Sequence, residues 1–381
     1  MMNRKSLAIA IPMLLAASSG VNALEIFNKN GNKLELHGSI NPNHELSHGF
    51  LSKKINSHND NTNAILGLSG EINITDELLS YANIEYKSDL NVPEELLNKQ
   101  KTNSVRLGYA GFKYGDWGSI DYGRNYGVLH DAQFLTNRIP YITQDSIFSY
   151  NDNYMVGRNN SLLTYRNNNL FGLFDGISFA LQYEDQVKNI QENQNNGSGW
   201  GASLKYKTDA GLTAVGSFFS AERLKSEKDK DKNLPSSVDA YGLGFKYDAN
   251  DIYIAAFYGV GSNLIPSDIS NEKSEAPTKF IGKTENIEAV AEYNFHSGFH
   301  PSLSYLDSKG QELNSDPQNT SNNNAFELAK QINISTRYEF NKNISTYMNY
   351  KINLLKSNNE YVKRNNISTD NILGAGIVYQ F

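Results

Sequence analysis

The chain has 381 residues and carries 35 Lys and Arg against 41 Asp and Glu, a formal net charge of −6, with no Cys, 23 Tyr, 18 Phe and 2 Trp. That acidic balance leaves no electrostatic footprint for nucleic acid, and without Cys an exported chain cannot draw stability from disulfides. No run past the first residues approaches about 20 apolar positions, which excludes a transmembrane helix; a barrel stays open, because only alternate strand residues need face lipid.

Residues 1–23 read as a secretory signal, with Arg4 and Lys5 at the start, LAIAIPMLLAA as the apolar core and Val21-Asn22-Ala23 as a small-residue cleavage site. Residues 24–381 then form one mature domain, and the loss of two cations takes the net charge from −6 to −8. Segments of alternating pattern follow, the period of strands with one apolar face. KLELHGSI puts Leu34, Leu36 and Ile40 on one side. AILGLSGEINI turns at Thr75-Asp76-Glu77 into LLSYANIEYK, and SVRLGYAGFKYG turns at Asp116-Trp117-Gly118 into SIDYGRNYG. GISFALQYED and WGASLKYK are joined by a Gln/Asn/Gly loop, and Thr208-Asp209-Ala210 leads on to GLTAVGSFFSAE. DAYGLGFKYD pairs with IYIAAFYGVG, ENIEAVAEYNF with FHPSLSYLDS, and ELAKQINISTRYEF with ISTYMNYKINLL. NILGAGIVYQF closes the chain, with Tyr379 and Phe381 on its apolar face. Counting the strands on either side of the irregular stretch below, the pattern predicts sixteen. Turns of two or three residues on one side and long polar loops on the other are the signature of an outer-membrane barrel.

Between DYGRNYG and VGRNNSLLTYRN lies VLHDAQFLTNRIPYITQDSIFSYNDNYM, without alternation, containing Pro140 and rich in aromatics. A structureless connection this long is functional or disordered, and the aromatics, which need a surface to pack on, argue for function. DYGRNYG, then VGR, TYRN and FGL-DG at matching spacing closely resembles the third external loop of the general bacterial porins of enterobacterial type. The C-terminal aromatic, and FNKNISTYMNYKIN before it, resemble the same family.

The resemblance implies an all-β fold, a 16-stranded antiparallel transmembrane β-barrel whose third external loop folds inward. It also implies a homotrimer in the Gram-negative outer membrane, in contact with lipid and lipopolysaccharide. Passive diffusion of small hydrophilic solutes would follow. Phe381 and Tyr379 would carry the signal read by the barrel-assembly machinery. Arg106 and Arg158 match the family's basic ladder, whereas Ser39 and Ile65 stand at two further ladder positions that are cationic in relatives. On the loop, the two expected carboxylates fall on Asn137 and Tyr141, with Asp145 kept and Arg138 added. Charge is thereby lost from both walls of the constriction, with Arg106, Arg158 and Arg138 set against Asp145, which predicts weak selectivity, neutral or slightly anionic. Arg124 matches a subunit-interface position, with Glu94 and Glu95 as its partners in a neighbour.

Two other classes compete. A surface adhesin or receptor barrel would have a plugged lumen and use its loops, among them the charge run at 221–237, although mixed charge in an outer loop is usually solvated. An outer-membrane enzyme would need a nucleophile and base at barrel height, and no Gly-rich phosphate loop, GxSxG or HExxH motif is present. His37, His44, His48 and His58 crowd the first loop without the spacing of a metal site, and no cofactor is implied.

Overall fold

The computed structural model describes residues 23–47, 60–93, 102–138, 146–186, 196–224, 235–267, 280–311, 325–365 and 367–381. Its strands are β1 (Leu24–Lys29), β2 (Asn32–Asn41), β3 (Asn43–Ser47), β4 (Asn63–Asn73), β5 (Leu78–Asp89), β6 (Asn103–Tyr114), β7 (Gly118–Tyr126), β8 (Arg158–Asn167) and β9 (Ile177–Glu184). There follow β10 (Asn196–Lys207), β11 (Leu212–Arg223), β12 (Ser237–Ala249), β13 (Ile252–Ser262), β14 (Lys283–Tyr293), β15 (Phe299–Gln311), β16 (Ala325–Glu339), β17 (Ile344–Asn353) and β18 (Ile372–Gln380).

From β4 to β18 each strand pairs antiparallel with the next. The sheet closes where β18 meets β2 and β3, and β2 meets β4. Pro42 lacks an N–H and interrupts the ladder between β2 and β3, but its carbonyl still accepts from Ile377 at 3.0 Å. Counting β2 and β3 as one strand and leaving β1 aside, the barrel has sixteen strands. Closure leaves no strand edge exposed to hydrocarbon.

β1 is an element that alternation alone did not reveal. Asn30 and Gly31 both hold positive φ, 56° and 79°, the twist of a two-residue hairpin turn for which Asn-Gly is the strongest short signal. β1 therefore folds back on β2, from Lys29↔Asn32 to Leu24↔Leu36. Along the same edge of β2, Gln380 pairs with Ser39, and Phe381 exchanges backbone bonds with Gly38 at 2.9 and 3.0 Å. One barrel position is thus completed by two pieces of chain, the end of β18 and the start of β1.

Side chains alternate as the pleat requires. On β13, Tyr253, Ala255 and Phe257 are buried while Ile252, Ile254 and Tyr258 are exposed. The exposed apolar residues form the outer band. Aromatics gather at the short-turn end, as in Tyr293 with Phe295 (4.7 Å), Tyr338 with Phe340 (5.0 Å) and Trp117 with Phe171 (5.9 Å), where amphipathic rings suit a membrane interface.

The inner wall is polar along β14 to β17, with Asn286, Asn333, Ser335 and Asn349 buried. The main apolar cluster lies elsewhere, between the 127–157 loop, hereafter L3, and the inner faces of β8 to β13. It joins Val128, Leu129, Phe148 and Met155 to Phe219 and Phe257. Glycine in the wall lets the loop backbone come close. A Cβ on Gly244 would stand 2.6 Å from the Ala132 carbonyl, and one on Gly201 would stand 2.7 Å from a Val128 methyl.

Candidate functional site: the L3 constriction

L3 leaves β7 and crosses the lumen. Near its root the Gln182 side chain on β9 accepts from Val128 N at 2.9 Å and donates to the Tyr126 carbonyl at 3.0 Å. The short helix α1 (His130–Gln133) is pinned by Asp131, which takes a two-pronged pair from Arg166 on β8 at 2.8 and 3.2 Å and a bond from Ser203 on β10 at 2.5 Å. Burial alone would raise the Asp131 carboxyl, but the Arg166 charge more than offsets this and holds it below its ordinary value. His130 stacks on Tyr126 with ring centroids 4.3 Å apart. Burial pushes its imidazole down to about 3; Asp131 opposes that, while Arg158, Arg166 and Arg106 reinforce it, so His130 is neutral at any ordinary pH.

Further along, the Tyr253 hydroxyl on β13 donates to the Leu135 carbonyl at 2.6 Å. Thr136, Gln133 and Ser146 all reach Glu288 on β14. A loop rooted between β7 and β8 that touches β14, six strands beyond β8, must run through the interior. L3 folds inward.

Arg106 and Arg158 stand on the wall near the root of L3. Between Glu85↔Leu107 and Tyr86↔Val105 the β5–β6 register slips by one residue, which makes Arg106 the extra residue of a bulge. Bulges re-aim side chains, and here the guanidinium Nε meets Glu85 at 2.9 Å. Arg158, at the start of β8, lies over the Tyr126 ring at 5.7 Å and close enough to feel the Arg106 charge. Among the described residues no carboxylate forms an ion pair with it. Ser39 and Ile65 are direct cross-strand partners on β2 and β4, both half-buried. Lys87, opposite Ile65 on β5, carries a cation there that sequence comparison missed; it pairs with Asp89 at 2.8 Å.

On the loop, Asn137 ends a 3-10 turn over Phe134–Thr136. Arg138 lies 4.4 Å over the Tyr253 ring and bonds Glu292 on β14, which also lies 3.7 Å from Arg337. The expected surplus of loop and wall cations is therefore smaller, since Arg106 and Arg138 each have a carboxylate that the sequence reading did not bring to them. Glu85, Glu288 and Glu292 all sit on the inner face of an alternating strand, the signal that could have found them. Tyr141 and Asp145 lie outside the described residues.

Arg124 has partners within its own chain. Its guanidinium bonds both carboxylate oxygens of Asp152 in its own L3, one at 3.2 Å, together with Asn160 at 3.1 Å and the Val105 carbonyl at 2.9 Å. Its expected partners Glu94 and Glu95 lie outside the described residues, as do His48 and His58. His37 packs its ring across Gly67, and His44 belongs to β3. Tyr379 is exposed on the outer face, and its ring lies 6.1 Å from that of Phe381.

A model of the Gram-negative porins matches residues 29–381. The chain belongs to the Gram-negative porin family. A porin-like protein of Buchnera aphidicola subsp. Acyrthosiphon pisum is 71% identical, and outer membrane protein F of Serratia marcescens 41% identical, with 100% of both chains covered in each case. A solved structure of Salmonella typhi OmpF in complex with daunomycin superposes with a TM-score of 0.81 at 35% identity, covering 94% of this chain and 100% of that one. This porin is an outer-membrane channel for the passive diffusion of ions and small hydrophilic solutes. Its family and fold point to a channel rather than an enzyme.

Proposed function

We propose that the constriction is a sieve of nearly balanced charge, bounded by the inner limbs of L3 on one side and by Arg106, Arg158, Ser39 and Ile65 on the other. The observation that carries this is the pairing of Arg106 with Glu85 and of Arg138 with Glu292. Guanidinium groups do not lose their charge at accessible pH, so the balance depends on how they are paired. Arg158 tips it slightly positive. A polar lining spares small solutes much of the cost of shedding water, and with little net charge neither ion sign is strongly favoured. Ile65 in place of a cation leaves room for bulkier or less polar solutes.

We further propose a homotrimer set in lipid and lipopolysaccharide, whose terminal strand, with Phe381 and Tyr379, is read by the barrel-assembly machinery. Planar-bilayer recording of the purified protein tests the reading. It should show stable open conductance closing in three equal steps, with a small reversal potential in a potassium chloride gradient. A lumen that does not conduct would favour a plugged receptor barrel, and strong cation selectivity would overturn the charge assignment.

A further inference from the structure

Glu288 sits on the inner face of β14 and is 7% exposed. Its two carboxylate oxygens divide L3 between them. Oε2 accepts from the Gln133 side chain at 3.2 Å and from the Thr136 hydroxyl, both on the limb that descends from β7. Oε1 accepts from the Ser146 hydroxyl, on the limb that returns to β8, and from Asn286 of its own strand at 2.8 Å. The Thr136 hydroxyl also faces the Gln133 carbonyl at 2.9 Å, but with one proton to give, the anion is the stronger acceptor. Ser146 in turn accepts from Phe148 N at 3.1 Å and so caps the 3-10 turn that follows. Asn286 is steadied by a bond from Ser308 on β15.

Four donors converge on one carboxylate, and three of them come from the two limbs of the same loop. An ionised carboxylate is acceptor-only with room for four donors; no neutral side chain of this size can do the same. We propose that Glu288 is the positioning residue of the constriction, a clasp that holds the two limbs of L3 at a fixed spacing against the wall and so sets the width left open beside the loop. This rests on the channel reading above. It adds that reading's missing mechanical part, since the Arg138–Glu292 pair fixes one point of the loop and the Arg106–Glu85 pair lies within the wall, whereas Glu288 ties two limbs together.

Glu288→Gln is the discriminating variant. It keeps the shape but turns one oxygen into an NH2 donor, so the hydroxyl and amide donors on that side lose their acceptor and one limb is released. The expected result in single-channel recording is about a tenfold rise in the time spent in sub-conducting or noisy open states, equivalent to about 1.4 kcal/mol. Thr136→Val and Ser146→Ala should each give part of that rise, and neither should add to it when combined with Glu288→Gln, because groups sharing one partner are not additive. Glu285→Gln, on the outer face of the same strand, should leave the trace unchanged. Heat resistance of the barrel on gels separates loop release from failure to fold, and if Glu288→Gln does not fold, the two hydroxyl variants carry the test. Wild-type noise in all three variants, or strict additivity among them, would overturn the clasp. A wild-type protein that does not conduct would instead sink the channel reading, before any variant is compared.

Discussion

Arg106 and Glu85 behave as one unit of the wall, and a substitution at either is felt through the partner left behind. A unit charge about 4 Å from an ion in water is worth about 1 kcal/mol, and charges beyond a Debye length of about 8 Å are screened. Arg106→Ser should therefore expose the Glu85 charge and raise the cation-to-anion permeability ratio by at most about thirtyfold, about fivefold for each ion in opposite directions. Glu85→Gln should shift it the other way by a similar factor, and the double variant should return near wild type. Arg158→Ser should shift it toward cations without needing a second change. Reversal potentials in a salt gradient measure all four. If they ignored Arg106 and Arg158, the wall of the constriction would lie elsewhere. Between pH 8 and pH 5 the potential should not depend on His130, whose burial keeps it uncharged until about pH 3; a pH-dependent shift abolished by His130→Gln would contradict that.

The last strand carries the burden of closure. Phe381 contributes two backbone bonds to Gly38, and its ring lies where a Cβ on Gly38 would approach to 3.0 Å. Two hydrogen bonds are worth about 0.5–1.5 kcal/mol each, a small part of the stability of a barrel. Deleting Phe381 should nevertheless lower the amount of assembled protein in the outer membrane many-fold while synthesis and export continue. A loss much greater than that bond energy points to recognition by the assembly machinery; refolding in detergent, where no machinery acts, should show only the small thermodynamic loss. Normal surface levels of the truncated chain would remove the terminal aromatic from the signal. Of the elements, sixteen strands were legible because polar-in, apolar-out alternation has a period of two. β1 escaped because its exposed LEIFNK segment scarcely alternates, although Asn30-Gly31 announced the turn.

For the assembled molecule, a trimer should survive detergent on a gel until heated, and an unheated monomer of normal conductance would refute it. The role of Arg124 is separable from that. It is bonded to Asp152 and Asn160 of its own chain, so Arg124→Ala and Asp152→Asn should destabilise the open state alike and leave the dissociation temperature of the trimer within a few degrees. A clear drop for Arg124→Ala, matched by Glu94→Gln or Glu95→Gln, would place its partner in the neighbouring subunit. The half-exposed carboxylate of Asp152 argues for a modest effect, under about 1 kcal/mol, as solvated pairs give.

Local information determined the barrel, the strand count and the turn and loop sides, because a strand's lipid and lumen faces are written residue by residue, while the inward loop was implied by the family resemblance that DYGRNYG and VGR carry. The sequence also supplied Arg106 and Arg158. It could not say which charges meet, since Glu288 lies 142 positions from Ser146 and 155 from Gln133. Only folding L3 across the lumen brings Glu288 to both limbs, Glu292 to Arg138 and Asp152 to Arg124. Side-chain partnership across a barrel depends on register and on the path of one loop, and neither is encoded within any short stretch of chain.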